Sequence, residues 1–375
     1  MSTPAILDRK DFDSLLGALR DRGHEVIGPR VRDGAIVYDT VDTAADLPEG
    51  WTDEHEGGHY RLKPRTDKAL FGYVVGPTSW KKFLFPPQQT VFRATRVDGQ
   101  LRFEPGVVDD HPRAFLGVRS CELHALAIQD KVFMAGPYAD TTYQQRRESV
   151  FIIAVNCVEA GATCFCVSMD TGPAVGAGHD LALTEVINAR EHYFLVEAGS
   201  NRGAELLAAV PHRGATEQEI NAARGGVAQA AESMGRKLET EDIRALLLGN
   251  LDHPHWDEVA DRCLSCANCT LVCPTCFCSS VEDSTSLDGG EAEHTRHWDS
   301  CFNQDFSYIA GGSVRASTAS RYRQWLTHKL ATWYDQFDSS GCVGCGSCIT
   351  WCPVGIDITA EVAAIRASDQ RRGDR

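Results

Sequence analysis

The sequence predicts an α+β protein in two parts, an N-terminal α/β domain and a C-terminal α-helical domain built on a duplicated cysteine run. Three observations carry this. Short apolar runs at Gly72 to Val75, Ala114 to Val118 and Val150 to Val155 read as buried strands. The second leads into a helical stretch, Glu122 to Phe133, and strand–helix–strand implies parallel pairing. Finally, a Cys-x-x-Cys-x-x-Cys-x-x-x-Cys-Pro run occurs twice, beginning at Cys263 and at Cys342. The expected boundaries are an α/β domain over 1–240, a cysteine-rich helical domain over 241–367 and a charged tail over 368–375 that frays.

The remaining elements follow in order. Asp8 to Arg22 has helical spacing, with Leu15, Leu16 and Leu19 on one face. Val31 to Val41 reads as a hairpin turning at Asp33-Gly34. Asp46 to Arg65 is polar and glycine-containing and reads as a loop. Lys81-Lys82-Phe83-Leu84-Phe85-Pro86-Pro87 reads either as a docking segment or as a strand ended by prolines. Leu181 to Ile187 and His192 to Ala198 form a second hairpin, and Thr216 to Arg262 is helical. Ser320 to Trp333, between the two cysteine runs, is helical as well.

Acidic residues outnumber basic ones 52 to 37, for a net charge of −15, which disfavours nucleic acid as a partner because phosphate binding needs a basic footprint. Met1 to Phe12 has no apolar core of a Sec signal, and the longest apolar run, Val150 to Val155, is too short to span a bilayer. The expectation is a cytoplasmic protein that does not engage a membrane. In a reducing compartment, 15 cysteines point to metal binding rather than disulfides.

The runs define the chemistry. Cysteines at i, i+3 and i+6 let one short loop offer three thiolates to three irons of a cubane. The fourth, set off by three residues and followed by proline, leaves the loop and in two-cluster ferredoxins ligates the other cluster. One [4Fe–4S] cluster is therefore assigned to Cys263, Cys266, Cys269 and Cys352, and the other to Cys342, Cys345, Cys348 and Cys273. With 68 residues between Cys273 and Cys342, this is an expanded ferredoxin-like domain. Zinc is the competing reading of Cys-x-x-Cys pairs, but zinc sites take four ligands in two pairs, whereas each run here offers four with a trailing proline.

Four more cysteines stand apart. Cys121 and Cys157 follow the apolar runs ending at Val118 and Val155, where open α/β sheets build sites. Cys164 and Cys166 flank Phe165 and share a face in extended chain. Two readings stand: a third metal site, or four thiols buried as small hydrophobes. Cys276, Cys278 and Cys301 read as packing around a cluster whose ligands are already complete. Gly289-Gly290 and Gly311-Gly312 read as turns, no Gly-x-Gly-x-x-Gly or Walker run is present, and His124 and His297 read as structural.

Several motifs are similar to those of a known family. They are Lys82-Phe83-Leu84-Phe85-Pro86-Pro87, Gly117-Val118-Arg119-Ser120-Cys121-Glu122-Leu123-His124-Ala125, Asn156-Cys157 and Thr163-Cys164-Phe165-Cys166. Cys273-Pro274-Thr275-Cys276-Phe277-Cys278, Trp298-Asp299-Ser300-Cys301 and Cys342-Val343-Gly344-Cys345-Gly346 complete the set. The chain resembles β subunits of cytoplasmic sulfhydrogenases, the NAD(P)-linked group 3b [NiFe] hydrogenases, and is similar to the electron-transfer subunit of anaerobic sulfite reductase. The family commonly has proline where this chain has Ser120, which touches the local backbone and leaves Cys121 in place.

The resemblance implies an electron-transfer subunit with no catalytic residues of its own. It would work in a hetero-oligomer with a flavin subunit handling NAD(P)H and with [NiFe] hydrogenase subunits, or alternatively with a sirohaem subunit. It also favours a third [4Fe–4S] cluster on Cys121, Cys157, Cys164 and Cys166, since all four lie in matching stretches. A free-standing ferredoxin-like carrier is the third reading; the size of the domain outside the runs weighs against it.

Overall fold

A computed structural model describes residues 3–74, 76–109 and 111–373. Its centre is an eight-stranded mixed sheet in the order Arg213–Gly214, Ala5–Asp8, His192–Ala198, Leu181–Ile187, Phe151–Val155, Arg113–Val118, Glu25–Arg32, Ala35–Thr40. The middle pairings are parallel: Glu25–Arg32 with Arg113–Val118, the latter with Phe151–Val155, and that with Leu181–Ile187. The two apolar runs expected to pair as parallel strands do so because every residue of Phe151–Val155 is buried, the signature of a strand covered on both faces. The hairpin at Asp33-Gly34 also forms, with both residues at positive φ as a tight two-residue turn requires.

One face of the sheet packs the helix Phe12–Arg20, whose Leu15, Leu16 and Leu19 are buried with Phe71 and Phe194. The other face packs Trp80, Phe85 and Phe115 against Leu123 and Leu126 of the helix Ser120–Met134. The C-terminal core gathers Trp256, Phe302, Tyr322, Trp325 and Ile365 around the cysteine runs.

Five expectations change. Residues 72–74 are not a strand: the carbonyls of Phe71 and Tyr73 accept from the buried Arg119 guanidinium, at 2.7 and 2.9 Å, instead of from a neighbouring strand. Val75 lies outside the described residues. The polar stretch expected as a loop is a hairpin, Trp51–Glu56 with His59–Pro64, lying on the second cysteine run: Gly58 N–H donates to Ile349 O and Tyr60 packs on Trp351. Lys81–Leu84 is a short helix with Lys81 and Leu84 buried, neither a strand nor an exposed docking segment. The C-terminal domain is not wholly helical, because the segment between the runs contributes the strands Ser279–Thr285 and Glu291–Trp298. They pair with Gln88–Val97, itself paired with Gln100–Pro105, to make a second, four-stranded sheet. Last, the helix Ile358–Gly373 continues through most of the stretch expected to fray, held where Ser368 Oγ meets His253 Nε2 at 2.7 Å; residues 374 and 375 lie outside the described residues.

The expected helices over Thr216 to Arg262 are Glu217–Glu232, Ile243–Gly249 and His255–Ala260. Ser320 to Trp333 is the helix Thr318–Thr327 followed by a π-helical turn, His328–Thr332. Gly289 and Gly290 sit at the turn between the two inserted strands, and Gly311 lies in the turn between Tyr308–Ile309 and Gly312–Ser313. Among the described residues no helix is long and apolar enough to cross a membrane.

Candidate iron–sulfur centres

The first run folds as a loop in which Ser265 and Ala267 take left-handed backbone, followed by a one-turn helix, Asn268–Leu271. Each left-handed residue turns the chain so that successive cysteines face inward, and Ser265 N–H donates to Cys263 Sγ at 3.4 Å. The second run repeats the shape: Gly344 and Gly346 are left-handed, Gly344 N–H donates to Cys342 Sγ at 3.4 Å, and Ser347–Thr350 is the one-turn helix. Asn268 Nδ2 donates to Trp351 O, joining the two loops.

Cys263, Cys266 and Cys269 line one cavity with Cys352 of the other run, closed by the apolar sides of Phe302, Tyr322 and Trp325. Ile356 N–H donates to Cys352 Sγ at 3.3 Å. Burial pushes the Cys263 and Cys269 thiols up, and the neighbouring cysteines push Cys269 further. On the other side, Cys273 leaves the first run and lies within electrostatic reach of Cys342, Cys345 and Cys348. Burial raises Cys342 to about 11 and Cys345 to about 12. Cys273 behaves oppositely: a hydrogen bond from the Cys276 thiol and the Lys329 ammonium hold it well below the usual thiol range, despite its burial.

Cys121, Cys157, Cys164 and Cys166 line a separate cavity, together with Cys345 and Arg119. Cys121 sits in the first turn of Ser120–Met134, just past the strand Arg113–Val118, and Cys157 just past Phe151–Val155. Ser120 Oγ donates to Ala174 O at 2.7 Å, which fixes this turn. Burial drives the Cys121 and Cys164 thiols far up and Cys166 to about 12. Burial also raises Cys157, and the Arg119 guanidinium draws it part of the way back. Arg119 is 3 % exposed, and its Nε finds no hydrogen-bond partner among the described residues. A buried cation with an unused donor, facing four thiols, suits an anionic iron–sulfur cluster.

The three groups are contiguous. Cys345 borders the third cavity and Cys348 borders the first, so the second run stands between the other two. The second run and the third site join through hydrogen bonds: Phe165 N–H donates to Gly344 O at 2.8 Å, Thr171 Oγ1 donates to Val343 O at 2.6 Å, and Thr163 Oγ1 meets Thr350 Oγ1 at 2.8 Å. Among the described residues no three His, Cys, Asp or Glu side chains converge on a single-ion position.

Cys276 lies against Cys273, and Cys278 against Cys301, whose hydrogen bond lowers the Cys278 thiol to about 7. None of the three lines the first or third cavity. His124 is on an exposed position of its helix, and His297 Nε2 lies 3.6 Å from Glu282. Two buried cations escaped the sequence reading. Arg119 was visible only as the neighbour of a cysteine motif. Lys329 is a lysine inside the apolar stretch Trp325, Leu326, Leu330, Ala331, an anomaly that marks a buried charge without naming its partner.

Residues 262–356 match the 4Fe-4S dicluster domain family. No solved structure matches the chain. The chain is 31 % identical over 294 residues to sulfhydrogenase 2 subunit beta of Pyrococcus furiosus, an alignment covering 76 % of this chain and 82 % of that one. The duplicated cysteine loops and this extent of identity together place the chain: it belongs to the family of sulfhydrogenase beta subunits.

Proposed function

We propose that this chain is the iron–sulfur electron-transfer subunit of a cytoplasmic, NAD(P)-linked [NiFe] hydrogenase complex, relaying electrons between the other redox centres and a flavin subunit. The observation that carries the reading is the row of three four-thiol groups, with the second run bordering both of the others. When bound, each [4Fe–4S] cluster takes up and releases one electron. The residues that would hold them are Cys263, Cys266, Cys269 and Cys352 for the first, Cys342, Cys345, Cys348 and Cys273 for the second, and Cys121, Cys157, Cys164 and Cys166 for the third. A zinc ion needs four donors at about 2.0–2.3 Å from one point; thiols set around the walls of a cavity suit the larger cubane better.

The chain's own groups perform two tasks. Phe302, Tyr322 and Trp325 give the first site an apolar wall. Arg119 and the main-chain donors Ser265 N–H, Gly344 N–H and Ile356 N–H direct positive charge at the sulfurs, which favours the reduced form. No group on this chain is assigned to hydrogen activation or to NAD(P)H binding.

Anaerobic native purification tests the proposal. The expected co-purifying chains are a flavoprotein and the [NiFe] subunits, and the expected iron content of this chain is about twelve, by the four irons of each cubane. A sirohaem subunit in their place overturns the hydrogenase assignment. About eight irons, unchanged by Cys157→Ala, rules out the third cluster.

A further inference from the structure

Two lysine ammonium groups are buried near Cys273, Lys329 at 2 % and Lys81 at 3 % exposure. Neither forms a salt bridge with a carboxylate among the described residues. A buried lysine without a counter-ion is costly enough that it ordinarily loses its proton or is absent. Thiols surround both, Cys273, Cys276 and Cys342 around Lys329 and Cys276, Cys273 and Cys278 around Lys81, while Lys329 itself repels Lys81.

Lys329 is held in place with little freedom. Its Nζ donates to Cys273 Sγ at 3.2 Å, to Thr275 Oγ1 at 3.0 Å and to Gly341 O at 3.0 Å, which uses all three of its protons. Thr275 Oγ1 in turn donates to Gly341 O at 2.7 Å. Lys329 lies in the π-helical turn His328–Thr332, where the extra residue shifts the side chain out of ordinary helical register; such turns concentrate at functional sites. Its own carbonyl accepts from Gly341 N–H at 2.8 Å, and Gly341 is glycine because any Cβ there would enter the Trp333 ring. Lys81 is one step further out. Its Nζ donates to Cys276 O at 3.2 Å and to Leu271 O at 3.4 Å and lies 3.9 Å over the Trp298 ring, with no bond to a ligand sulfur.

We infer that Lys329 is a potential-tuning residue: its buried ammonium, hydrogen-bonded to the Cys273 thiolate, raises the reduction potential of the cluster held by Cys273, Cys342, Cys345 and Cys348. This rests on the ligand assignment proposed above. Reduction adds one negative charge to the cluster, and a fixed positive charge in a low-dielectric site favours the more negative state. A hydrogen bond to a ligand sulfur acts in the same direction. Lys81, nearby but without a sulfur contact, contributes to a smaller extent.

The test is a redox titration monitored by electron paramagnetic resonance on the full chain, loaded with iron and sulfide, comparing Lys329→Met, Lys329→Gln and Lys81→Met with the parent. Iron content of the parent comes first: a parent without the second cluster refutes the ligand assignment and is seen before any lysine variant is measured. With the parent loaded, both Lys329 variants are expected to keep their iron. One couple should fall by at least tenfold in its reduction equilibrium, 59 mV for one electron, while the other couples stay in place. Lys81→Met should lower the same couple by less. A fully loaded Lys329 variant at the parent potential overturns the inference. Loss of four irons from both Lys329 variants also overturns it, since that outcome makes the residue structural.

Discussion

The two cysteine runs have the same loop and opposite surroundings. The first faces outward: Cys266 is exposed, Leu264 is 63 % exposed and Val354 of the adjoining turn is 41 % exposed. The second is enclosed, with Gly344 and Gly346 pressed against the N-terminal domain. A Cβ on Gly344 would lie 2.7 Å from the Cys166 backbone, and one on Gly346 would enter the Thr163 carbonyl. The left-handed positions show the consequence. The first run carries Ser265 and Ala267 there, side chains with room but some backbone strain, whereas the second carries glycine at both because no side chain fits. One loop geometry thus gives an open site and an enclosed one, and the difference lies in packing rather than in the thiols.

The comparison breaks most visibly at Cys352, the residue that crosses from the enclosed run to the open site. Cys352→Ala is expected to remove about four irons and the signals of the cluster on Cys263, Cys266 and Cys269, leaving the second run loaded. Loss of the second-run cluster instead would mean each run closes on itself. Next in size is selective oxidation. Ferricyanide added to the loaded chain should destroy the first-run cluster before the others, because Cys266 alone among the assigned ligands is exposed; simultaneous bleaching of all signals would erase the proposed contrast.

A smaller effect separates the two loops by stability. Gly346→Ala adds left-handed strain and a collision with Thr163, together costing about 3 kcal/mol, and should lower the thermal midpoint by roughly 3–5 °C. Ala267→Gly, at the equivalent place in the first run, relieves strain but loses a buried methyl group and adds unfolded-chain entropy. Its net effect should stay within about 1 kcal/mol, read in the same melting experiment.

What could be read in advance divides along physical lines. Ligand spacing is a local code, so the grouping of Cys263, Cys266 and Cys269 needs only chain geometry. The third group was legible because Val118 and Val155 end strands whose buried, all-apolar character is written in consecutive residues. The hairpins at 51–64 and 279–298 were not. Their strands are largely exposed and polar, so the alternation that marks a half-buried strand is faint, and each is held by a partner distant in sequence. Lys329 was illegible for a related reason: a lysine among apolar residues announces burial, but the thiolate and two oxygens that satisfy it come from Cys273, Thr275 and Gly341.

The pairing of Glu291–Trp298 with Gln88–Val97 has a bearing on how the protein is made. Arg93 and Glu293, side by side in that sheet, stand 200 positions apart in the chain. A strand emerging early from the ribosome therefore waits for a partner synthesised long afterwards, and the crossing ligand Cys352 follows later still. On the proposed ligand assignment, the first-run cluster cannot be completed until both cysteine runs have been synthesised. Iron delivery to the first-run site would then wait for the second run, and a nascent chain stalled before Cys352 would expose three thiols with no cluster to protect them from oxidation.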